Sequence, residues 1–238
     1  MPEMTNYLRH LILAALLLQN LAAVAQPDDT QLRQNLGIRW RINKKWTTTA
    51  DFRFDLNQNL GAFRRSNITI GASYEVTKWL EASLSYRFGT GFNRDFHRFR
   101  AALSTEQKIV GDLSGSFRTM VQHDVRYLDA GYLSCYRPNW IWRNRLQLRY
   151  ALSQKARISA YTDLFSSYRS AVLTPYRLRS GLSASYLFKR RHTFEAGYFF
   201  QNEFGIENAR TMQAFELGYT FDVVKKKKKK KKKSPGGE

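Results

Sequence analysis

The residues with the most chemical potential in this 238-residue chain are arginines spaced two apart. Arg39 and Arg41, Arg98 and Arg100, Arg143 and Arg145, and Arg177 and Arg179 each fall on one face of an extended segment, because side chains alternate along a strand. Assigning faces throughout adds Arg53, Arg87, Arg118, Arg149 and Arg157 to that side, together with Asp51, Asp55, Glu81, Glu106, Asp163, Glu195 and Glu216. Thirteen cations then meet seven anions. Enclosed in a narrow interior, such a set makes a space-filling ion-pair network, since an unpaired buried charge is costly. In a wider interior the six surplus arginines form a constriction that attracts phosphates or carboxylates, with Arg143, Arg145, Arg149, Arg177 and Arg179 contributing most. The network has the stronger physical case, because small barrels are filled by side chains and wide ones hold water.

A second constellation is a histidine pair. Around the turn at 110–112, pairing residues whose numbers sum to 220 sets Phe99 against Val121, Ala101 against Thr119 and Arg98 against Gln122. Apolar then meets apolar and polar meets polar. The same register sets His97 opposite His123 on the other face from the arginines, with Asp124 pointing to the arginine side. A histidine there could serve a lipid-modifying enzyme, but Ser104 and Ser116 fall toward the opposite end and the opposite face, so no nucleophile is in reach. Histidines touching lipid headgroups fit better than a catalytic or metal-binding pair, which lacks a third ligand. No catalytic set, metal site or cofactor motif emerges: Gly89-Thr90-Gly91 precedes no helix, and Cys135 is the single cysteine.

The elements that position these residues are eleven segments between residues 36 and 221 in which apolar and polar residues alternate with period two. Ile68, Ile70, Ala72, Tyr74 and Val76, interleaved with Thr69, Gly71, Ser73 and Glu75, show it most cleanly. Polar turns at Lys44-Lys45, Thr77-Lys78, 110–112, 153–155 and 189–191 join the segments into hairpins of about 9 to 11 residues per arm. Longer connections rich in Gly, Asn, Asp and Arg, at 57–64, 89–95, 128–139, 166–175 and 205–210, alternate with those turns. Trp40, Trp46, Trp79, Phe188 and Phe194, with Tyr150, flank the short turns, where an interface girdle of aromatics would lie. In the hairpin around Thr77, a sum of 156 matches Ile70 with Tyr86 and Ala72 with Leu84.

The start of the chain says what the apolar face meets. Arg9 and His10, an apolar run at 11–18, and Ala23 and Ala25 before Gln26 read as a cleaved secretory signal over residues 1–25. Exported strands of this kind predict a closed antiparallel transmembrane β-barrel of ten to twelve strands at 35–224 in a bacterial outer membrane, with short periplasmic turns and longer extracellular loops. Residues 26–34 form an N-terminal arm. The partners expected are outer-membrane lipid, lipopolysaccharide and, during biogenesis, the barrel assembly machinery. Eleven strands is an odd count, whereas bacterial single-chain barrels are even-numbered. Either residues 26–35 supply a twelfth strand, which we expect, or ten strands form the wall.

The formal charge of +20 is inflated by nine lysines at 225–233; without them and Glu238, residues 1–224 carry +12. Because the arginines are spread along the strands of an exported chain, nucleic acid is not their partner. The lysine run, with Ser234 to Glu238, cannot fold. It reads either as a tether to anionic lipid or peptidoglycan or, preferably, as a misread adenine tract beyond a true stop near Val224.

Trp40-Arg41-Ile42-Asn43-Lys44-Lys45-Trp46, Asp51-Phe52-Arg53-Phe54 and Tyr74-Glu75-Val76-Thr77-Lys78-Trp79-Leu80 carry a degenerate pattern of basic turn followed by Trp. Behind a signal peptide, this pattern resembles the outer-membrane barrel family catalogued as domain of unknown function 2490, over residues 35–222. The resemblance implies a barrel in the outer membrane and transfers no activity and no catalytic residues. The lysine tail departs from the family pattern.

Overall fold

A computed structural model describes residues 29–91, 95–126, 139–169, 172–205 and 209–223. The elements are all strands: β1 (Asp29–Arg41), β2 (Trp46–Asn57), β3 (Ala62–Glu75), β4 (Leu80–Gly91), β5 (Asp95–Val110), β6 (Leu113–Arg126), β7 (Asn139–Ala151), β8 (Ala156–Arg169), β9 (Val172–Phe188), β10 (His192–Glu203) and β11 (Thr211–Val223). Each is antiparallel to its neighbour in sequence, and the sheet closes on itself into a barrel. The leader at 1–25, Cys135 and the lysine tail lie outside the described residues.

Burial is inverted relative to a water-soluble barrel. Asp55 and Asp163 have no exposure at all, whereas Ile70 is 60% and Leu84 67% exposed. Gln31, Arg33, Asn67, Thr69, Gln122 and Gln201 are buried with the two aspartates, and Leu36, Ile38, Phe99, Leu103, Leu146 and Leu217 cover the outside. A continuous apolar exterior around a polar interior is the division that a bilayer requires of a strand-built wall, because closure leaves no unpaired backbone edge in the hydrocarbon. The chain is an all-β transmembrane barrel.

The wall has neither twelve nor ten strands but eleven. Alternating directions around an odd number of strands must bring two of the same sense together, and these are β1 and β11, which pair in parallel from Asp29↔Met212 to Trp40↔Val223. Arg33 with Glu216 (3.7 Å) and Arg39 with Asp222 (3.6 Å) bridge this seam. The twelfth strand expected from residues 26–35 does not form separately. Residues 29–35 are the first half of β1, so the wall starts six residues ahead of the barrel start expected at 35.

Strand lengths of 12 to 17 residues exceed the expected arms, since strands continue into the connections between hairpins. β3 already begins at Ala62, and the reversal before it is compressed into residues 58–61. There Gln58, Asn59 and Leu60 all adopt positive φ (51°, 54° and 73°). Side chains at both ends hold the turn: Gln58 N donates to Asp29 Oδ1 (2.8 Å) and Thr30 N to Asn59 Oδ1 (3.4 Å). Similarly, β8 and β9 extend to Arg169 and from Val172, across most of the connection expected at 166–175.

The β3–β4 register is the expected one, with Ile70↔Tyr86 and Ala72↔Leu84. In β5–β6, by contrast, the opposed numbers sum to 222, giving Phe99↔His123, Ala101↔Val121 and Arg98↔Asp124. The apex lies at Gly111-Asp112 instead of Val110, because Gly111 supplies the positive φ (52°) of the turn and a bulge between Lys108 and Val110 takes up the spare residue. A shift of two leaves every side chain on its face, so the arginines stay inward while their partners change.

Candidate functional site

The barrel encloses a cavity of about 930 Å³. Twelve arginines and three carboxylates, Asp124, Glu195 and Glu216, line it. One side is packed. Tyr161, Phe199, Met212 and Ala214, from β8, β10 and β11, form a small buried apolar cluster inside the wall. Gly181 on β9 admits it: a Cβ there would sit 2.7 Å from Tyr161 Cζ and 2.8 Å from Phe199 Cβ. Guanidinium groups cover these rings, with Arg145 over Tyr161 (4.2 Å), Arg179 over Phe199 (4.4 Å) and Arg33 over Phe199 (4.5 Å). Arg143 lies over Phe165 at 5.0 Å. Stacked in this way, a weakly hydrated guanidinium keeps an attractive partner on its face while its edge stays free for hydrogen bonds.

Those edges meet acids. Asp163 accepts from both Arg143 (Nε 3.1 Å, Nη2 2.6 Å) and Arg145 (Nε 2.8 Å, Nη2 2.9 Å). One buried carboxylate thus receives two forked donors, the strongest geometry such pairs adopt. Arg177 donates Nε and Nη2 to Glu203 Oε1 (3.0 and 2.6 Å), Arg98 donates to both oxygens of Asp124 (2.8 and 2.7 Å), and Arg65 Nε donates to Asp55 (2.7 Å). Arg179 donates to Gln201 Oε1 (3.2 and 2.6 Å), and Arg64 to Gln31 Oε1 (2.6 Å).

Of the residues expected to face the lumen, Arg53, Arg87, Arg98, Arg100, Arg118, Arg143, Arg145, Arg177, Arg179, Glu195 and Glu216 line the cavity, and Asp163 lies buried behind its two arginines. Arg149 does not line it. Near the turn end of β7, Arg149 pairs with Glu106 at 2.6 Å, where both side chains are over a third exposed. Arg39, Arg41 and Arg157 are likewise exposed near the short turns. Trp40, Trp46, Trp79, Phe188 and Phe194 are exposed on the outer surface at that same end, Trp46 packing on Tyr74 (ring centroids 4.9 Å) and Phe194 on Tyr219 (5.3 Å).

The histidines are not opposed. With the register moved by two, His97 faces Val125 and His123 faces Phe99. His97 Nδ1 hydrogen-bonds the Tyr86 hydroxyl, while His123 stacks on Trp140 at 4.3 Å. Among the described residues no group of three His, Cys, Asp or Glu side chains could hold a metal ion.

Sequence reasoning missed Arg33, Arg64 and Arg65 as cavity residues and Glu203 as the partner of Arg177. Arg33 falls in the expected arm and Arg64 in an expected loop, yet period two carries the signal for Arg33: Gln31, Arg33 and Asn35 alternate with Leu32, Gln34 and Leu36.

Several solved structures are similar to this chain. The NanC porin is 11% identical, with a TM-score of 0.53 over 82% of this chain and 98% of the porin. The KdgM porin is 11% identical, with a TM-score of 0.43 over 74% of this chain and 91% of that one. The translocator domain of the autotransporter NalP from Neisseria meningitidis is 14% identical, with a TM-score of 0.42 over 88% of this chain and 94% of that domain. Such identities bear on the fold alone. No curated protein matches the sequence. The family described as "protein of unknown function (DUF2490)" matches residues 30–213, most of the barrel, and the chain belongs to that family.

Proposed function

We propose that the protein is an outer-membrane barrel, reached through a cleaved signal peptide, whose cationic lumen forms a narrow anion-selective channel. One observation carries the reading: twelve arginines against three carboxylates line the cavity of about 930 Å³ inside the wall. An interior built only to fill itself would match each guanidinium with an acid or an aromatic ring, as the β7–β9 side does. A cationic lining at close quarters lowers the barrier for anions and raises it for cations. The exposed apolar exterior supports the membrane placement.

Planar-bilayer recordings of the refolded protein in a potassium chloride gradient test the reading. The expected reversal potential favours chloride, and Arg118→Gln reduces that preference. Silence in the bilayer, or selectivity for potassium, would overturn it and leave a plugged structural barrel.

A further inference from the structure

Arginines without a carboxylate partner gather on one arc of the barrel. Arg53, Arg87, Arg100 and Arg118 come from β2, β4, β5 and β6, line the same cavity, and form no ion pair among the described residues. Arg87 donates Nε to the Thr69 hydroxyl at 2.9 Å, a neutral acceptor. The Nε–H groups of Arg53, Arg100 and Arg118 are buried and have no acceptor.

The contrast with the rest of the interior is what makes the cluster informative. Arg143, Arg145, Arg177, Arg65 and Arg98 each have a carboxylate at 2.6 to 2.8 Å. Arg179 is stacked on Phe199 and bonded to Gln201. The same fold that supplies an acid or a ring to those arginines, Arg65 and Arg98 on β3 and β5 among them, supplies neither to these four. Guanidinium is planar and forked, a shape that receives two oxygens of a phosphate or carboxylate side by side. Four such forks on one wall suit an anion bearing several of these groups, whereas a chloride ion meets one fork at a time.

We infer that the β2–β6 arc is a docking site for a multivalent oxyanion, one carrying at least two phosphate or carboxylate groups. The inference rests on the reading of the cavity as a cationic, solvent-reached lumen and deepens it by naming the ligand class.

Titration calorimetry on the refolded full chain in zwitterionic detergent at low salt tests it, with inorganic pyrophosphate and citrate as separate probes. Saturable binding of pyrophosphate, of citrate, or of both is expected and tells which oxyanion the forks prefer. Replacing Arg87→Gln and Arg100→Gln together should weaken binding at least about tenfold, since hydrogen bonds to charged groups are among the stronger ones. Lys155→Gln, on an exposed short turn, should leave it unchanged. Heat-modifiable gel mobility reports folding of each variant, and Arg53→Gln replaces the double variant if that one fails to fold. No saturable binding of either probe by the native chain, or equal affinity in the folded arginine variants, overturns the site. Because binding is read without current, a chain that binds pyrophosphate but does not conduct refutes the channel and keeps the site. One that conducts chloride but binds neither probe does the reverse.

Discussion

Asp163 shows how a single side chain fixes one half of the interior. It has no solvent exposure and accepts four hydrogen bonds, two from Arg143 on the facing strand and two from Arg145 directly across from it. Both guanidiniums in turn lie over rings, Phe165 and Tyr161. Removing the carboxylate charge leaves two cations facing each other with a neutral amide between them, and breaking a buried pair of this kind typically costs about 3–5 kcal/mol. Asp163→Asn should therefore lower the urea midpoint of the refolded barrel in detergent micelles, read by tryptophan fluorescence. Glu106→Gln, whose partner Arg149 is solvent-exposed, should leave that midpoint near its native value, as exposed pairs contribute little. An unchanged midpoint for Asp163→Asn would mean that cavity water already screens the cluster. The inward placement of Asp163, Arg143 and Arg145 was legible from alternation alone. Their partnership was not, because alternation does not say which strand comes alongside to pair with a given face.

At the scale of the element, the strands were readable and their ends were not. Period two fixes which face a residue takes, so the apolar outside and arginine inside followed from spacing. It is blind to a slip of two residues, and β5–β6 shows the consequence: both registers pair like with like, yet only the observed one brings Arg98 to Asp124 and separates His97 from His123. What decides is turn chemistry, with Gly111 at positive φ marking the apex. Turn chemistry also misled at residues 57–64, where polar residues and Gly61 suggested a long loop. The chain instead reverses through Gln58, Asn59 and Leu60 in the left-handed region, and β3 gains Arg64 and Arg65. Leu60 is the most costly of the three, a branched side chain at φ 73° that is 42% exposed and so gains little from burial. Leu60→Gly should raise thermal stability by about 0.5–1 kcal/mol, the usual scale of such exchanges when the backbone already suits glycine. A fall in melting temperature for this variant would place that side chain in a contact worth more than the relieved strain.

For the whole molecule the unforeseen feature is closure. An alternation pattern assigns faces and lengths but not neighbours across the seam, and eleven strands can close only by setting two like-directed strands side by side. Parallel ladders are somewhat less stable per residue than antiparallel ones, and here β1 and β11 compensate by pairing over twelve positions, with Arg33–Glu216 inside and Gln213 Nε2 donating to Thr30 Oγ1 (2.9 Å). A twelve-stranded wall would instead place a separate N-terminal strand antiparallel to β11, reversing the order of contacts along the seam. Cysteines introduced at Leu36 and Tyr219 discriminate the two. These residues are direct partners in the parallel ladder, and laterally opposed strand positions bring Cα atoms about 5 Å apart, within reach of a disulfide. In a Cys135→Ser background, Leu36→Cys with Tyr219→Cys should form a crosslink on mild oxidation, detected as a mobility shift in reducing versus non-reducing gels after denaturation. Leu36→Cys with Met212→Cys should not, because Met212 pairs with Asp29, seven residues from Leu36 along the strand. Failure of the first pair to crosslink in folded protein would show that β1 and β11 are not neighbours and would require an additional strand between them.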